Sequence, residues 1–238
     1  MKPLSKRMQA LADQVSAGTV FSDIGTDHGF LPIYLVSNDI IKNAIAMDVR
    51  PGPLSRAKEH VAEAGLNDRI ELRLSDGLEK LEMGEADSIL ISGMGGPLMQ
   101  RILSDGKQVA HAAKELILQP QSEICEFRHF LTEEGYVFLA EDAVYDEGKY
   151  YFLMKVVHAT QTSDKNVFVP KEDIEFAYGG LLIQQKNATL LEYLLKEKEI
   201  WETNLESLQK QPQGDKISAR INEISEKLNL IEKTISKF

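Results

Sequence analysis

Several features that would define other classes of protein are scarce or missing in this sequence. It contains one cysteine, Cys125, among 238 residues, so no disulfide can form within the chain. It has no run of about 18 apolar residues, which argues against a membrane-spanning helix. Polar residues also interrupt the segment that follows the N-terminal basic residues, so a secretory signal is not expected. Together these absences predict a cytoplasmic protein.

Basic residues are in the minority as well. The chain has 27 Lys and Arg against 37 Asp and Glu, which gives a formal net charge of −10 at pH 7. Nucleic-acid-binding proteins usually have a basic surface, and the bulk charge predicts none here. A local patch would still suffice, because affinity for RNA depends on the few phosphates that are contacted. Lys2, Lys6 and Arg7 form one such candidate patch, and a solvated helix start explains them equally well.

The glycine pattern G-x-G-x-x-G, which holds a dinucleotide pyrophosphate, is absent. In its place the segment 21–32 reads F-S-D-I-G-T-D-H-G-F-L-P. Gly25 permits a sharp turn after a buried strand, and Gly29 allows the next segment to approach a ligand closely. A carboxylate at Asp27 would repel a pyrophosphate but suits a cationic ligand. The segment predicts a ligand-binding loop between strand and helix, with an ordinary Gly/Asp turn as the alternative.

Polar or glycine residues follow three more predicted strands. Asp48 ends the second strand and can accept hydrogen bonds from ribose hydroxyls. The third strand is followed by Ser75-Asp76-Gly77, where Asp76 can accept a hydrogen bond from an adenine amino group, and the fourth by Gly93-Met94-Gly95-Gly96. Because parallel strands end at one edge of a sheet, these residues predict one crevice. Taken singly, they are also explained as a helix cap, a common turn and a loop.

Alternating strand and helix patterns predict the fold of the first part of the chain. Strands are expected near 19–23, 44–48, 70–74, 87–91 and 115–119, and helices near 31–38, 52–64, 96–104 and 122–133. Two further strands, Gly135–Tyr145 and Lys149–His158, flank a turn at Asp146-Glu147-Gly148. This order predicts an α/β, Rossmann-like, doubly wound sheet of seven mostly parallel strands that ends in an antiparallel hairpin.

The pattern changes after a polar segment at His158–Lys165. Apolar residues at coiled-coil spacing predict two helices that fold back as an antiparallel hairpin near Pro212-Gln213-Gly214. We therefore predict two domains, 1–160 and 161–238, and pairing of the helices within one chain, as in a monomer. Trp201 is expected in the helix seam rather than as a base-stacking platform. The hairpin's basic residues are candidates for RNA contact, or belong to a solvated face: Lys196, Lys210, Lys216, Arg220 and Lys227.

The pattern Asp23-x-Gly25-x-Asp27-x-Gly29 resembles the acidic-x-Gly-x-Gly-x-Gly loop of class I S-adenosylmethionine-dependent methyltransferases, with Asp27 in place of the middle glycine. Four longer segments resemble one family in particular, the bacterial tRNA adenine-N1 methyltransferases that modify adenine 22. They are D-I-G-T-D-H-G-F-L-P at 23–32, D-V-R-P-G-P-L at 48–54, S-G-M-G-G at 92–96 and L-Q-P-Q at 118–121. The resemblance implies a Rossmann-like catalytic domain, a C-terminal coiled coil, S-adenosyl-L-methionine as cofactor and tRNA as partner.

The resemblance and the predicted crevice together assign candidate site residues. The cofactor-binding candidates are Asp23, Gly25, Asp27, His28, Gly29, Asp48, Ser75, Asp76, Gly77, Gly93 and Met94. Arg7, Gly95 and Gly96 are candidates for contact with the acceptor, and no metal is expected. Asp27 and His28 are also catalytic candidates, because a carboxylate can hold the adenine amino group and stabilise a cationic product. Binding of the methionine amine and capping of the next helix are the alternative roles for this pair.

Three functions remain open from the sequence. The first is methylation of tRNA, and the second is methylation of a small molecule or a protein, which the acidic balance favours. The third is a non-catalytic or dinucleotide-using Rossmann-like protein, which the missing phosphate-loop glycines disfavour. The Asn/Asp-Pro-Pro-Tyr/Phe motif of many exocyclic-amine methyltransferases is also absent. That absence argues against the exocyclic N6 of adenine as the acceptor and leaves a ring nitrogen open.

Overall fold

A seven-stranded sheet lies in the first of two compact units, Met1–Val169, of the computed structural model. The structure describes residues 3–211 and 214–238. The strands are β1 Phe21–Ile24, β2 Ala44–Asp48, β3 Ile70–Leu74, β4 Ser88–Met94, β5 Glu115–Pro120, β6 Tyr136–Asp146 and β7 Lys149–His158. Their order in the sheet is β3-β2-β1-β4-β5-β7-β6. β1 to β5 pair in parallel, and β7 pairs antiparallel with both β5 and β6.

Every residue of β1, β2 and β5 is buried, as expected for parallel strands that are covered on both faces. The helices of this unit are α1 Lys6–Gln14, α2 Phe30–Ser37, α3 Pro51–Glu63, α4 Gly96–Asp105, α5 Lys107–Ala112 and α6 Ile124–Glu133. α2 contacts α1 and α3, whereas α4 contacts α5 and α6. The strand order reverses between β1 and β4, so right-handed crossovers place these two groups on opposite faces of the sheet.

The hairpin of β6 and β7 closes the sheet and also holds α1. Glu147 and Gly148 in its turn have φ values of 48° and 83°, the left-handed conformation that a tight two-residue hairpin turn requires. The preceding Asp146 accepts a hydrogen bond from the backbone N–H of Arg7 at 3.0 Å. Ser5 caps α1 by accepting a hydrogen bond from the N–H of Met8 at 3.3 Å. The start of α1 is therefore fixed by its own cap and by the hairpin.

The second unit, Pro170–Phe238, is helical. It contains α7 Asp173–Tyr178, α8 Gly180–Gln184, α9 Ala188–Gln209 and α10 Asp215–Ile235. The long helices α9 and α10 pack on each other and are joined by the ion pairs Lys198–Glu232 and Glu197–Lys227. Lys186 lies near the chain end, where its Nζ donates to the carbonyl oxygen of Phe238 at 3.3 Å. A residue just before α9 thus contacts a residue just after the end of α10, while the middle of α9 contacts the second half of α10. The two helices are therefore antiparallel.

The predicted Rossmann-like α/β fold is confirmed, including the seven strands and the antiparallel final hairpin. The C-terminal helical pair is present as well, with Leu194, Ile224 and Ile231 buried in its seam. The sequence patterns gave no expectation for the short helices α5, α7 and α8. Pro212 and Gln213, where a hinge was predicted, lie outside the described residues, and so does Lys2 of the predicted basic patch. Among the residues that the structure describes, no helix combines the length and the apolar character that crossing a membrane requires.

Candidate functional site

The carboxyl ends of β1, β2, β3 and β4 surround a cavity of about 500 Å³. Backbone hydrogen bonds hold these strand ends together. The N–H groups of Gly25 and Thr26 donate to the carbonyl oxygen of Met47 at 2.8 and 2.9 Å, and the N–H of Ser75 donates to that of Asp48 at 3.0 Å. The cavity therefore opens where the strand order reverses, which is the usual place for a ligand in an open α/β sheet.

Nine of the predicted site residues line this cavity. They are Arg7, Gly25, Asp27, Asp48, Ser75, Asp76, Gly77, Gly93 and Met94. The other five, Asp23, His28, Gly29, Gly95 and Gly96, lie next to it in the chain without being among its lining residues. The predicted crevice thus exists, and the five remaining residues support its wall or face other surfaces.

Asp23 lies beneath the loop and is 5% exposed. Its Oδ2 accepts a hydrogen bond from the hydroxyl of Thr26 at 2.7 Å, which ties the strand end to the turn. Burial raises the pKa of Asp23 to about 6, and the nearby Asp48 adds to that rise, while the Thr26 hydrogen bond and Arg7 oppose it. A ligand cation at this end of the cavity would favour the ionised form of Asp23.

Gly25 and Gly29 both have φ values in the left-handed region, 79° and 71°. A Cβ on Gly25 would overlap the Met94 side chain, and one on Gly29 would lie 3.3 Å from the Cβ of Ala57 in α3. Gly25 therefore leaves room for the Met94 side chain, while Gly29 lets α2 pack closely against α3. Gly29 was predicted to allow close approach to a ligand, and in the structure the close approach is to Ala57 of α3.

Asp48 is 5% exposed and forms the cavity wall at the end of β2. Its Oδ1 accepts a hydrogen bond from the backbone N–H of Arg50 at 2.8 Å, directly before α3 begins. Arg50 is the N-cap residue of α3 and no side chain caps this helix, so the capping alternative for Asp48 is wrong, although its carboxylate does hold the residue before the helix. It also lies at the cavity surface, where a diol could donate to it.

Asp76 forms an ion pair across the cavity with Arg101 of α4. The two guanidinium nitrogens of Arg101 donate to the two oxygens of Asp76 at 2.8 and 3.2 Å. This pairing lowers the pKa of Asp76, so its carboxylate is ionised at neutral pH. Arg101 was not predicted as a site residue. Its contact fixes the direction in which the Asp76 carboxylate points.

The exposed loop residue Asp27 has a φ of 50° and contacts two basic side chains. Its Oδ1 accepts from Arg56 of α3 at 3.1 Å, and its Oδ2 lies 3.5 Å from Nε2 of His28. The backbone carbonyl of His28 in turn lies 2.9 Å from Nδ1 of His60. Asp27 therefore stands at the cavity edge with its carboxylate held in place by α3.

Arg7 reaches the cavity from α1, which precedes the first strand. Its Nη1 donates to Oε1 of Gln119 at 3.2 Å, and its guanidinium carbon lies 5.3 Å from the ring centre of Tyr151. A Cβ on Gly93 would lie 3.5 Å from the same Nη1 and 3.7 Å from Nε2 of Gln121. These are ordinary contact distances, so the φ of 77° at Gly93, rather than the space around it, is what favours glycine here.

Gly95 and Gly96 have a packing role in the structure. A Cβ on Gly96 would lie 2.7 Å from the backbone oxygen of Ser122 and 3.1 Å from that of Glu123, and one on Gly95 would lie 3.0 Å from Oγ of Ser122. Gly96 is required for the close approach of α4 to the segment after β5, while a side chain at Gly95 would need the Ser122 hydroxyl to shift. The predicted contact of Gly95 and Gly96 with an acceptor stays a prediction.

Sequence reasoning missed several residues that line the cavity: Val49, Arg50, Ser92, Leu98, Arg101, Ile102 and Gln121. Arg50, Ser92 and Gln121 lie within the segments that carried the family resemblance, so those motifs could have identified them as site residues. Leu98, Arg101 and Ile102 project from α4, and only the register of a helix start decides which of its side chains face the sheet edge. Among the described residues, no group of three or more His, Cys, Asp or Glu is arranged to hold a metal ion.

Comparison with known proteins agrees with this geometry. The family model described as "Methyltransferase domain" matches residues 4–154. The curated tRNA (adenine(22)-N(1))-methyltransferase of Bacillus subtilis is 32% identical over 234 residues, covering 98% of this chain and 97% of that protein. The chain belongs to this tRNA methyltransferase family. The family resemblance that the motifs predicted is confirmed.

Solved structures of the family superpose over nearly the whole chain. The crystal structure of the B. subtilis m1A22 tRNA methyltransferase has a TM-score of 0.84 at 32% identity and covers 98% of this chain and 99% of that one. A Streptococcus pneumoniae protein in complex with S-adenosyl-L-methionine has a TM-score of 0.84 at 30% identity, covering 98% and 100%. A family member from M. capricolum in complex with S-adenosyl-homocysteine has a TM-score of 0.81 at 28% identity, with 98% of each chain covered.

Proposed function

We propose that this protein transfers a methyl group from S-adenosyl-L-methionine to N1 of adenine 22 in tRNA. The observation that carries this function is similarity over nearly the full length to a curated enzyme with that activity, together with a cavity at the strand ends. Similarity limited to the sheet would leave the acceptor open. Here it extends through the helical unit, which favours the tRNA acceptor over a small molecule or a protein.

The residues at the cavity suit S-adenosyl-L-methionine. Asp48 is a buried acceptor for the ribose hydroxyls, and Asp76 stands at the next strand end, where an adenine amino group can donate to it. Asp23 and Asp27 place negative charge beside the glycine loop, which favours a ligand that carries an ammonium and a sulfonium. A diphosphate would meet these carboxylates at close range. The set of side chains therefore fits the methyl donor better than a dinucleotide.

When bound, S-adenosyl-L-methionine supplies an electrophilic methyl group on a positively charged sulfur. Adenine N1 attacks that carbon with its free lone pair as the carbon–sulfur bond breaks, so no proton has to leave first. The protein's task is then mainly to hold the two reactants in line. Because N1 is hidden by base pairing in a helix, the target adenine has to be unpaired or turned out of the stack.

We assign the acceptor side of the cavity to Arg7, Asp27, His28 and Gly93. Asp27 is exposed at the cavity edge, and its carboxylate can accept from the adenine amino group and offset the positive charge that methylation leaves on the ring. His28 lies against that carboxylate, with its Nε2 3.5 Å from Oδ2. Arg7, held by Gln119, lies beside Gly93 and can bind a phosphate or a base edge of the substrate.

We assign tRNA capture beyond the target base to the helical unit, and keep the predicted division into a catalytic domain, 1–160, and a helical domain, 161–238. In the structure the unit boundary falls between Val169 and Pro170. Arg220 and Lys227 lie against the Trp201 ring, at 5.7 and 4.2 Å from its centre, so two of the candidate basic residues are gathered on one site of the hairpin. Cytoplasmic location and a monomeric state remain predictions.

The proposed function is tested with unmodified tRNA and S-adenosyl-L-methionine that carries a labelled methyl group. We expect the label to enter tRNA at adenine 22 as 1-methyladenosine, and a transcript with guanine at that position to stay unlabelled. Equal labelling of both transcripts would show a different acceptor position. Calorimetric titration with S-adenosyl-L-methionine and with NAD tests the cofactor independently, because saturable binding of NAD alone would contradict the assignment.

A further inference from the structure

The cavity at the strand ends, where S-adenosyl-L-methionine is proposed to bind, is called the cofactor cavity below. A second and larger cavity of about 740 Å³, which we call the side groove, lies beside it. It runs between the start of α1 and the facing sides of α2 and α3, and it is mostly apolar: its lining includes Leu4, Met8, Phe30, Ile33, His60 and Ala64. The loop 27–30 joins the two cavities, since Asp27 lines one and Phe30 lines the other. The proposed methyl-transfer function does not use this groove.

Three aromatic rings meet at the mouth of the side groove, and we call them the aromatic cluster: His28, Phe30 and His60. The ring centres of His28 and Phe30 are 5.1 Å apart at an interplanar angle of 12°, and those of Phe30 and His60 are 5.0 Å apart at 22°. Phe30 is the first residue of α2, and despite its contacts with both histidine rings it is 49% exposed. A large apolar ring that is held by two others and still faces solvent is a surface prepared for stacking.

The charges around the side groove distinguish a base from a phosphate. The charged lining residues are Glu63 and Glu147, and both carboxylates would repel a phosphodiester inside the groove. Arg56 of α3 stands outside the groove, one helical turn before His60, with a side chain that is 49% exposed and pairs with Asp27. The groove thus suits an uncharged flat group with amino substituents, while the neighbouring Arg56 guanidinium suits the backbone to which that group is attached.

We propose that the aromatic cluster binds the nucleobase next to the target adenine, stacked on Phe30 and partly inside the side groove. This inference rests on the proposed function. Turning an adenine out of its stack uncovers a face of the neighbouring base, and an exposed ring supplies a new stacking partner. The contact between Asp27 and His28 makes the path from the acceptor side of the cofactor cavity to Phe30 continuous. Phe30 is therefore a positioning residue for the acceptor.

The test combines kinetics with a fluorescent base. Phe30→Leu keeps an apolar side chain but removes the ring, and we expect it to raise the KM for tRNA about tenfold, the size of one lost base–aromatic stack. The Kd for S-adenosyl-L-methionine should stay at the wild-type value, because Phe30 does not line the cofactor cavity. Phe30→Trp should restore the KM. Phe130→Leu is the matched control, since Phe130 packs on Phe127 in α6 and lines neither cavity.

Two tRNA transcripts, with 2-aminopurine directly before or directly after the target adenine, locate the stacked base. We expect one of the two probes, when bound, to be less fluorescent with the wild-type protein than with Phe30→Leu. Equal fluorescence at both positions, or an unchanged KM in Phe30→Leu, would overturn the inference. A loss of cofactor affinity in Phe30→Leu would overturn it too, by assigning Phe30 to the methyl donor. Failure of the wild-type protein to methylate tRNA would instead contradict the proposed function, while the fluorescence comparison would still report on stacking.

Discussion

At the scale of single residues, Asp23 is the carboxyl group whose ionisation is most sensitive to conditions near neutrality. Its pKa rises from 3.8 to about 6 because the folded protein buries it. Between these two values the folded state binds more protons than the unfolded chain. The contribution of Asp23 to stability therefore falls as the pH rises through this interval, and the cost remains at higher pH.

Asp23→Asn should consequently separate stability from cofactor binding. At about pH 8 we expect the variant to have a free energy of unfolding up to about 3 kcal/mol higher than wild type, because no buried charge has to form. Its affinity for S-adenosyl-L-methionine should be lower, because the carboxylate that favours the cationic ligand is lost. Wild-type affinity should fall as the pH decreases through about 6, and the variant should lack this dependence. Chemical denaturation and calorimetry measure both quantities.

Asp68→Asn provides the control for this experiment, because Asp68 is exposed and lies outside the cofactor cavity. It should alter neither the stability nor the pH dependence of cofactor affinity. A pH dependence that persists unchanged in Asp23→Asn would assign it to another group.

Asp48→Ala tests the ribose contact. We expect the free energy of binding S-adenosyl-L-methionine to weaken by about 1 to 3 kcal/mol, since the hydrogen bonds from the ribose hydroxyls would be lost. Asp48 also accepts a hydrogen bond from the N–H of Arg50 before α3, and the alanine variant loses that contact too. Asp48→Asn, which keeps an oxygen acceptor, should therefore bind better than Asp48→Ala when both are titrated by calorimetry. Unchanged affinity in Asp48→Ala would remove this residue from the site.

At the scale of secondary-structure elements, two glycines in the first turns of helices offer a matched pair. Gly96→Ala should lower the free energy of unfolding by about 1 to 3 kcal/mol, because its Cβ would press on the backbone of the segment after β5. Gly52→Ala, in the first turn of α3, meets open space and should raise it by about 0.5 to 1 kcal/mol. Urea denaturation of both variants decides the comparison. A Gly96→Ala protein with wild-type stability but impaired methylation would instead support the predicted contact with the acceptor.

The elements of the sheet were predictable because each strand of the parallel core is a short apolar run bounded by turn residues. Ala44–Asp48 and Ile70–Leu74 are observed with the predicted bounds. The short helices α7 and α8 were not predicted, since each spans at most six residues and they meet at Gly179 and Gly180, where a pattern of helical period is too short to detect.

The site was predictable to the extent that strand ends determine it. Asp48 and Asp76 follow strands directly, so the topology alone brings them to one cavity. Arg101 and Phe30 could not be placed in the same way, because their positions depend on the packing of helices. The Arg101–Asp76 ion pair, for example, joins residues 25 positions apart on different elements. A strand pattern contains no information about such a pairing.

At the scale of the whole molecule, the two units predict separate functions, with cofactor binding in the first and most of the tRNA contact in the second. A chain that ends at Val169 should unfold cooperatively and bind S-adenosyl-L-methionine with wild-type affinity, because the cofactor cavity is lined only by residues of the first unit. Its affinity for tRNA should fall at least about tenfold, with a smaller dependence on salt, since fewer phosphates are contacted. Calorimetry and filter binding at several salt concentrations test this. Full activity of the shortened chain would reduce the helical unit to a stabilising role.

The hydrogen bond between the Arg7 backbone and the Asp146 side chain joins residues 139 positions apart. During synthesis on the ribosome, the glycine loop and the strand ends up to Met94 emerge long before the residue that anchors α1. A nascent chain that ends near Met94 therefore already contains the glycine loop and the first four strands, while Arg7 still lacks its contact with Asp146. The order of translation thus delays completion of the acceptor side until the last hairpin of the sheet has been made.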